Sequence, residues 1–317
     1  EAMEWLEIIV HTTTEAQDLV SNVLIDNGVS GTSILDRSYI PNVHKLGTEW
    51  EMYDESLLEA MPEDVEVHAW LELGPALPHQ LESIQNGLLH LQTQQHLFSL
   101  GTLRLDTQSV NDADWKDVWK QYYKPLHIGR HIVVKPSWEP YDKRPQDVII
   151  ELDPGMAFGT GAHATTYMCL EMLEKYIHKN SSVIDIGTGS GILAIASALL
   201  GAERILGVDI NADAVLVAKE NVAKNGLAGK IEIQKSDLLQ NVSRQCDIAV
   251  ANIIADAVLM LTPDIHHILK KNGIYIVSGI LQEREQEVIH SAEELGYTVI
   301  KVLHRDEWSG IAFRYEG

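Results

Sequence analysis

Cysteines and long apolar runs are scarce in this sequence of 317 residues. Only Cys169 and Cys246 occur, far apart and each inside an apolar segment, which excludes a disulfide framework and is typical of reduced core thiols. The sequence contains no run of about eighteen apolar residues, the length that a membrane-spanning helix requires. The segment EAMEWLEIIV has neither the basic region nor the cleavage site of a secretory signal. We therefore expect a cytoplasmic protein that does not associate with membranes.

Basic residues are also few. The chain has 24 Lys and Arg against 46 Asp and Glu, a formal net charge of −22. Such a surface repels phosphate backbones and attracts basic partners, so we expect no sequence-specific binding of nucleic acid. Solubility alone is the alternative explanation of the acidity.

The N-terminal third contains a strand–helix–strand pattern twice. Residues 4–12 have strand character, residues 13–28 carry helix-spaced apolar side chains, and VSGTSIL resumes a strand. After an acidic stretch, residues 67–74 and 89–110 continue with a strand, a helix and a strand. The pattern predicts a small α+β domain of ferredoxin-like type over residues 3–110.

The next segment carries an Asp-capped amphipathic helix that ends at Pro125. Its aromatic side chains favour packing over ligand contact. They are Trp115, Trp119, Tyr122 and Tyr123. We interpret residues 111–140 as a linker helix and connector between two domains, since a chain of this length exceeds one compact core.

From residue 147 onward, apolar strands alternate with amphipathic helices. That alternation predicts a parallel, doubly wound α/β sheet of Rossmann-like type over residues 141–317. Residues 297–316 contain two strand-like runs around a short turn. They predict a terminal antiparallel hairpin.

A glycine-rich turn follows the strand SVIDIG of this sheet. Gly187, Gly189 and Gly191 lack Cβ atoms, which permits a tight turn, close approach of a ligand and access to the first amides of the following helix. Asp209 ends the next strand, where a carboxylate can accept both hydroxyls of a ribose. Asp185 precedes the turn and is placed to orient the loop or an amino group of the ligand. The pattern predicts a nucleotide-type cofactor site.

The pattern differs from the sequence patterns of two other classes of nucleotide-binding site. A GxGxxG dehydrogenase would have a third glycine at position 192, which is Ile192 here. A P-loop would have GK[ST] after a glycine-rich segment, and the sequence has none. The observed pattern DxGxGxG instead resembles the first motif of class I methyltransferases.

Two more polar residues follow strands of the same sheet. Asp237 follows the third strand and Asn252 ends the fourth, so both are expected at the carboxyl edge beside the turn. Asp237 fits adenine binding and helix capping equally well. Asn252 resembles the Asn-containing fourth motif of amino-group methyltransferases.

The segment DPGMAFGTGAHATT, residues 153–166, resembles the signature of the PrmA family, the methyltransferases of the eleventh large-subunit ribosomal protein. Further matches are DWKDVWKQYYKPLHIG (114–129), DIGTGSGILAIA (185–196), GVDI (207–210), ANIIA (251–255) and SGIL (278–281). The resemblance covers nearly the whole chain. It implies a class I methyltransferase domain preceded by a substrate-recognition domain.

The resemblance also implies S-adenosylmethionine as the cofactor, without a metal. The cofactor contacts that it implies are Thr166, Gly187, Asp209 and Asn252. The chain departs from the family pattern at residues 162–164, where Thr-His-Pro is common, and at Asn211, where an acidic residue is common.

Phe158 and His163 of the signature segment are candidate catalytic residues. Phe158 lies among small residues and is expected to shield the sulfonium from water, although an ordinary glycine-rich loop is the alternative. His163 could also suggest a metal ligand. No HExxH or paired-cysteine spacing accompanies it, and the 14 histidines are scattered.

The resemblance further implies methyl transfer to lysine ε-amino groups, or an N-terminal α-amino group, of a basic ribosomal protein, free or on the ribosome. A surface of charge −22 is suited to steer such a partner. We expect a monomer. One alternative is a class I methyltransferase of a small molecule or another protein. Its sign would be an NPPY-like motif, where this sequence has NIIA. The other alternative is a non-catalytic ribosome-assembly protein with this fold.

Overall fold

The computed structural model describes residues 5–36, 64–92, 99–109, 124–153 and 163–317. The chain divides into two compact units, Glu1–Tyr122 and Tyr123–Gly317. The predicted linker helix with its aromatic side chains lies outside the described residues. The domain limits given above therefore stay a prediction.

In its described residues, the first unit contains a four-stranded antiparallel sheet and two helices. Its elements are β1 (Trp5–Thr12), α1 (Gln17–Asp26), β2 (Thr32–Leu35), β3 (Val65–Glu72), α2 (Leu77–Gln92) and β4 (Leu105–Ser109). The strand order is β2-β3-β1-β4, and each neighbouring pair is antiparallel. This is the βαββαβ arrangement of the ferredoxin-like fold, as the two strand–helix–strand patterns predicted.

The position of α2 differs from the sequence interpretation. The helix spans Leu77–Gln92 rather than the residues after Leu89. Its buried side chains recur at helical spacing and are Leu77, Leu81, Ile84, Leu88 and Leu91. This apolar stripe needs a buried partner surface, and α2 packs against α1. The interpretation was wrong because it overlooked the stripe that begins directly after the strand.

The second unit begins with a three-stranded sheet that the sequence did not reveal. It consists of β5 (Leu126–Ile128), β6 (Ile132–Lys135) and β7 (Val148–Glu151), in that order. The turn between β5 and β6 is held by the Glu174 carboxylate, which accepts hydrogen bonds from the backbone N–H groups of Arg130 and His131, both at 2.7 Å. These strands are only three or four residues long, too short for a recognisable alternation.

A seven-stranded sheet forms the rest of the second unit. Its elements are α3 (Ala164–Tyr176), β8 (Ser182–Ile186), α4 (Ile192–Leu199), β9 (Arg204–Asp209), α5 (Ala212–Lys224), β10 (Ile231–Lys235), β11 (Cys246–Asn252), α6 (Ala255–Leu261), β12 (Leu269–Leu281), α7 (Glu285–Glu294), β13 (Tyr297–Arg305) and β14 (Trp308–Tyr315). The strand order is β10-β9-β8-β11-β12-β14-β13. The first five strands are parallel, while β14 and β13 run antiparallel to their neighbours. The predicted doubly wound sheet and terminal hairpin are confirmed.

Burial explains why these segments form this sheet. All five residues of β8 are buried, as expected for a central parallel strand with helices on both faces. Seven of the eight residues of α4 are buried as well, from Ile192 to Ala198. Both cysteines are free and buried in this unit. No helix in the described ranges is long and apolar enough to cross a membrane.

The amphipathic segment over residues 257–273 does not form one continuous helix. α6 ends at Leu261, and Thr262–His267 form a 3-10 turn with Pro263 near its start. Proline lacks the N–H group that would continue the α-helical hydrogen bonds. Leu269 already belongs to β12, where it pairs with Cys246.

Candidate active site

The carboxyl edge of the seven-stranded sheet brings together most of the polar residues predicted from the sequence. The turn Gly187–Gly191 follows β8, Asp209 ends β9 and Asn252 ends β11. β8 is paired with both of the other strands. Side chains from three neighbouring strands therefore meet where a doubly wound fold binds its ligands.

The glycine turn adopts a conformation that requires glycine. Gly187, Gly189 and Gly191 have φ angles of +74°, +53° and +83°, a region that residues with a Cβ atom rarely occupy. The backbone N–H groups of Gly187 and Thr188 both donate to the Val208 carbonyl, at 2.8 and 2.9 Å. The turn is therefore anchored on β9, next to Asp209.

Asp209 is tied to this turn through its own carboxylate. One oxygen accepts a hydrogen bond from the Gly189 N–H and the other from the Asn211 N–H, both at 2.9 Å. A carboxylate offers about four acceptor positions, so each oxygen can accept one more hydrogen bond. Asn211 begins α5, where its side chain accepts from the Asp213 N–H at 2.8 Å. The asparagine that departs from the family pattern thus caps a helix.

Asp185 lies beneath the turn and is fully buried. Its Oδ2 accepts hydrogen bonds from the Thr188 hydroxyl (2.6 Å) and the Ala194 N–H (3.2 Å), which join the end of β8 to the start of α4. Its Oδ1 is buried and has no hydrogen-bond partner among the described residues. Burial, with a smaller contribution from the nearby Asp209 charge, raises the pKa of this carboxyl to about 7, although the hydrogen bonds from Thr188 and Ala194 oppose the rise.

A pH dependence of stability follows from this raised pKa. Between pH ~4 and ~7 the unfolded chain releases the Asp185 proton while the folded chain retains it, so folding stability falls as the pH rises across this window. Asp185→Asn cannot ionise and keeps an acceptor for both hydrogen bonds. We expect the Tm of this variant, relative to the parent protein, to increase from pH ~4 to ~7 and then level off. The exposed Asp213→Asn is the control. A Tm difference between Asp185→Asn and the parent protein that does not change with pH would contradict the raised pKa of Asp185.

Asn252 lies at the end of β11 and is held by α3. Its amide nitrogen donates to the Thr166 hydroxyl at 3.1 Å. Thr166 is fully buried in the first turn of α3, so it provides a rigid support. One N–H of the Asn252 amide is thus engaged, and the side-chain oxygen is the atom that can accept a hydrogen bond from a ligand.

His163 begins α3 and is almost fully buried, with 2% of its surface exposed. Its Nδ1 accepts from the Thr165 N–H at 3.2 Å and lies 2.7 Å from the Thr165 hydroxyl. The ring packs against Trp308, with centroids 5.7 Å apart. Burial lowers the pKa of His163 to about 4, so the imidazole is neutral at physiological pH. These contacts fit a residue that fixes the start of α3.

Asp237 and Phe158 are the remaining site residues predicted from the sequence. Asp237 is exposed after β10, where its carboxylate accepts from the Gln240 side chain at 3.1 Å. The adjacent Ser236 N–H donates to the Asp209 carbonyl at 2.9 Å, so Asp237 lies at the same edge as Asp209. Phe158 lies outside the described residues. Its shielding role stays a prediction.

Sequence interpretation missed several residues that hold this edge together. Thr188, which donates to Asp185, lies inside the recognised glycine motif and could have been found there. The Asn221 side chain donates to the Ser190 carbonyl at 2.8 Å and pins the turn to α5. Arg284 donates to Asp256 at 2.7 Å and so joins the segment after β12 to α6. The last two contacts link distant parts of the chain and leave no local pattern.

The sheet order, the reversed last strand and the glycine turn with Asp209 define the second unit as a class I methyltransferase fold. The model of the family "Ribosomal protein L11 methyltransferase (PrmA)" matches residues 4–316. The chain belongs to the PrmA family of ribosomal protein L11 methyltransferases.

Individual relatives support this assignment. A ribosomal protein L11 methyltransferase of Alkaliphilus oremlandii is 44% identical over 315 residues, which is 99% of this chain and 100% of the relative. One from Alkaliphilus metalliredigens is 40% identical over 99% of both chains. The crystal structure of a ribosomal protein L11 methylase from Lactobacillus delbrueckii subsp. bulgaricus is 36% identical and superposes with a TM-score of 0.58, covering 62% of this chain and all of that one.

Proposed function

We propose that this protein transfers methyl groups from S-adenosylmethionine to amino groups of ribosomal protein L11, chiefly lysine ε-amino groups. The observation that carries the proposal is the shared edge of the sheet. A nucleotide-type turn with Asp209 and an amide-bearing strand end at Asn252 lie there on neighbouring strands, in a chain that matches its family from residue 4 to 316.

The residues at this edge suit the cofactor chemically. Asp209 has one unused acceptor position on each oxygen, which two ribose hydroxyls can fill. The tight glycine turn lets a ligand approach the backbone and the first amides of α4. Asp185 supports the turn from below and keeps one buried oxygen without a partner among the described residues. Asp237 is placed at the same edge and is assigned to the adenine side.

The cofactor supplies, when bound, a methyl group on a positively charged sulfur that an amine can displace in line. The protein's contribution is to hold the two reactants in line and to keep water out. A free lysine has a pKa of about 10.4 and is protonated at neutral pH, so the amine must release a proton to the solvent before it can attack the methyl group. Desolvation at the sheet edge lowers the amine pKa. The Asn252 side-chain oxygen and the Ile253 carbonyl then accept hydrogen bonds from the neutral amine.

His163 and Thr166 act through Asn252 in this scheme. His163 fixes the first turn of α3, and Thr166 in that turn accepts the hydrogen bond that orients the Asn252 amide. The neutral His163 ring has no charge that would oppose a cationic cofactor or amine. We therefore assign His163 a positioning role and keep Asn252 as the residue that contacts the amine.

A transfer assay tests the proposed function. The protein is incubated with S-adenosylmethionine carrying a labelled methyl group, together with purified L11 and, separately, other basic ribosomal proteins. Label should enter L11 and should be lost in Asp209→Ala. Label in a different protein would identify another substrate. Absence of label in every protein, with cofactor binding intact, would indicate a non-catalytic relative.

The acidic surface gives a further expectation for the protein substrate. With a net charge of −22, electrostatic attraction should contribute to binding of a basic protein and be screened by salt. We expect the Kd for L11 to rise at least about tenfold between ~0.05 M and ~0.5 M salt. A Kd that does not change over this range would leave the acidity as a feature of solubility. The cofactor Kd measured at the same salts is the control for an intact site.

The remaining features proposed from the sequence are a cytoplasmic location, a monomeric state and the absence of a bound metal. In the described ranges, no group of three or more His, Cys, Asp or Glu side chains is arranged to hold a metal ion.

A further inference from the structure

Ile253, the residue after Asn252, lies between two glycines from different parts of the chain. A Cβ atom on Gly187 would come within 2.5 Å of the Ile253 Cγ2 atom. A Cβ atom on Gly279 would come within 2.4 Å of the Ile253 carbonyl oxygen and 2.9 Å of its carbonyl carbon. Gly187 belongs to the cofactor turn, whereas Gly279 belongs to β12. Neither contact could form with any other residue in place of the glycine.

We propose that Ile253, wedged between Gly187 and Gly279, is a positioning residue that fixes the amine-binding end of β11 relative to the cofactor turn. This inference rests on the proposed function, because it concerns how far the amine lies from the methyl group. The side chain of Ile253 lies against Gly187 and its main chain lies against Gly279, and we call this pair of contacts the wedge.

The Gly279 side of this wedge is formed by a bulge in β12. Asn252 pairs with Ser278, and the Ile253 N–H donates to the Ser278 carbonyl at 3.1 Å. The pairing of β12 with β14 shifts register between Val277 and Ile280, and Gly279 has a φ angle of +83°. Bulges with a left-handed glycine re-aim the backbone beside functional sites. The bulge here brings the Gly279 backbone against the Ile253 main chain.

The Ser278 side chain fixes the position of the bulge itself. Ser278 is fully buried, and its hydroxyl donates to the Ser309 carbonyl of β14 at 3.1 Å. The main chain of Ile253 therefore rests on a rigid part of the sheet.

The Gly187 side of the wedge is a side-chain contact. Ile253 also packs against the apolar core beneath the sheet edge, so its side chain cannot swing away freely. In the described part of the chain, no backbone N–H group of a loop or turn donates to the Ile253 carbonyl. That oxygen is the second acceptor proposed for the amine, and its position depends on both contacts.

The two contacts differ in a way that an experiment can use. In Gly187→Ala the new methyl group meets a side-chain atom, so adding Ile253→Ala removes the clash. In Gly279→Ala the new methyl group meets main-chain atoms, so no substitution of the Ile253 side chain can relieve it. Rescue by Ile253→Ala is thus expected for Gly187→Ala and excluded for Gly279→Ala.

We expect Gly279→Ala to lower kcat on the order of 100-fold, because small displacements of a reacting group have effects of this size. Gly296→Ala is the matched control. Gly296 has a φ angle of +85°, and a Cβ atom there would meet nothing within 4 Å, so it reports the backbone strain alone. Gly296→Ala should lower Tm and leave kcat within about twofold. A Gly279→Ala variant that folds and keeps the kcat of Gly296→Ala would overturn the proposal.

Cofactor affinity measured by calorimetry gives a second readout that needs no protein substrate. Gly187→Ala should weaken cofactor binding, and Ile253→Ala in the same chain should restore about tenfold of it. If Gly187→Ala binds the cofactor as tightly as Gly187→Ala combined with Ile253→Ala, the proposal is overturned, even if Gly279→Ala fails to fold. Because this readout is independent of L11, it also separates failure of the wedge from failure of the proposed function.

Discussion

Asp209→Ala is expected to weaken binding of S-adenosylmethionine at least about 100-fold. Hydrogen bonds to a charged group contribute about 1.5–3 kcal/mol each, and two ribose hydroxyls are proposed to share this carboxylate. The substitution also removes the acceptor of the Gly189 and Asn211 N–H groups, so the turn loses its anchor as well. Isothermal titration calorimetry with the folded variant measures the loss directly.

Asp213→Ala is the matched control for this prediction. Asp213 lies four residues further along the chain, in the first turn of α5, and its side chain is exposed. The control removes the same charge near the same edge without touching the glycine turn. Similar cofactor affinities of the two variants and the parent protein would show that Asp209 does not bind the ribose.

Asn252→Ala is expected to lower kcat about 100-fold while the cofactor Kd changes by less than about threefold. Removing one well-placed polar group from an active site has an effect of this size on turnover. The physical reason is that the neutral amine loses its acceptor, whereas the glycine turn and Asp209 are unchanged. Single-turnover methyl transfer and calorimetry on the same variant separate the two quantities.

Asn225→Ala provides the control for Asn252. Its side-chain amide accepts a hydrogen bond from the Glu151 N–H and donates one to the Glu151 carbonyl, both at 2.8 Å. Asn225 lies at the C-terminal end of α5, away from the proposed site. This variant should lose stability and keep kcat. Equal losses of cofactor affinity and turnover in Asn252→Ala would make Asn252 a cofactor ligand alone.

Much of the second unit could be predicted because its local patterns agree with its packing. β8 is fully buried and mostly apolar, and the glycines after it need φ angles that only glycine adopts readily. The sequence-based placement of Asp209 and Asn252 beside that turn follows from parallel pairing. In contrast, the three-stranded sheet with β5 at its edge is built from strands too short to carry a pattern.

The parts of the site that the sequence did not reveal depend on contacts between distant residues. SGIL was matched as a motif, but nothing in its letters shows that Gly279 rests on Ile253. The support of Asn252 by Thr166 joins positions 86 residues apart, and the resemblance alone suggested a role for Thr166. His163 was predicted as catalytic, whereas its burial and its contacts with Thr165 and Trp308 support the positioning role proposed above.

Methylation of amino groups of ribosomal protein L11 by this chain can be observed on the substrate itself. Intact-mass and peptide mass spectrometry of purified L11, after incubation with the protein and S-adenosylmethionine, tests it most directly. We expect a mass increase of a whole number of methyl groups, located on lysine or N-terminal amino groups and absent with Asp209→Ala. Unmodified L11 in the presence of a protein that binds the cofactor would contradict it.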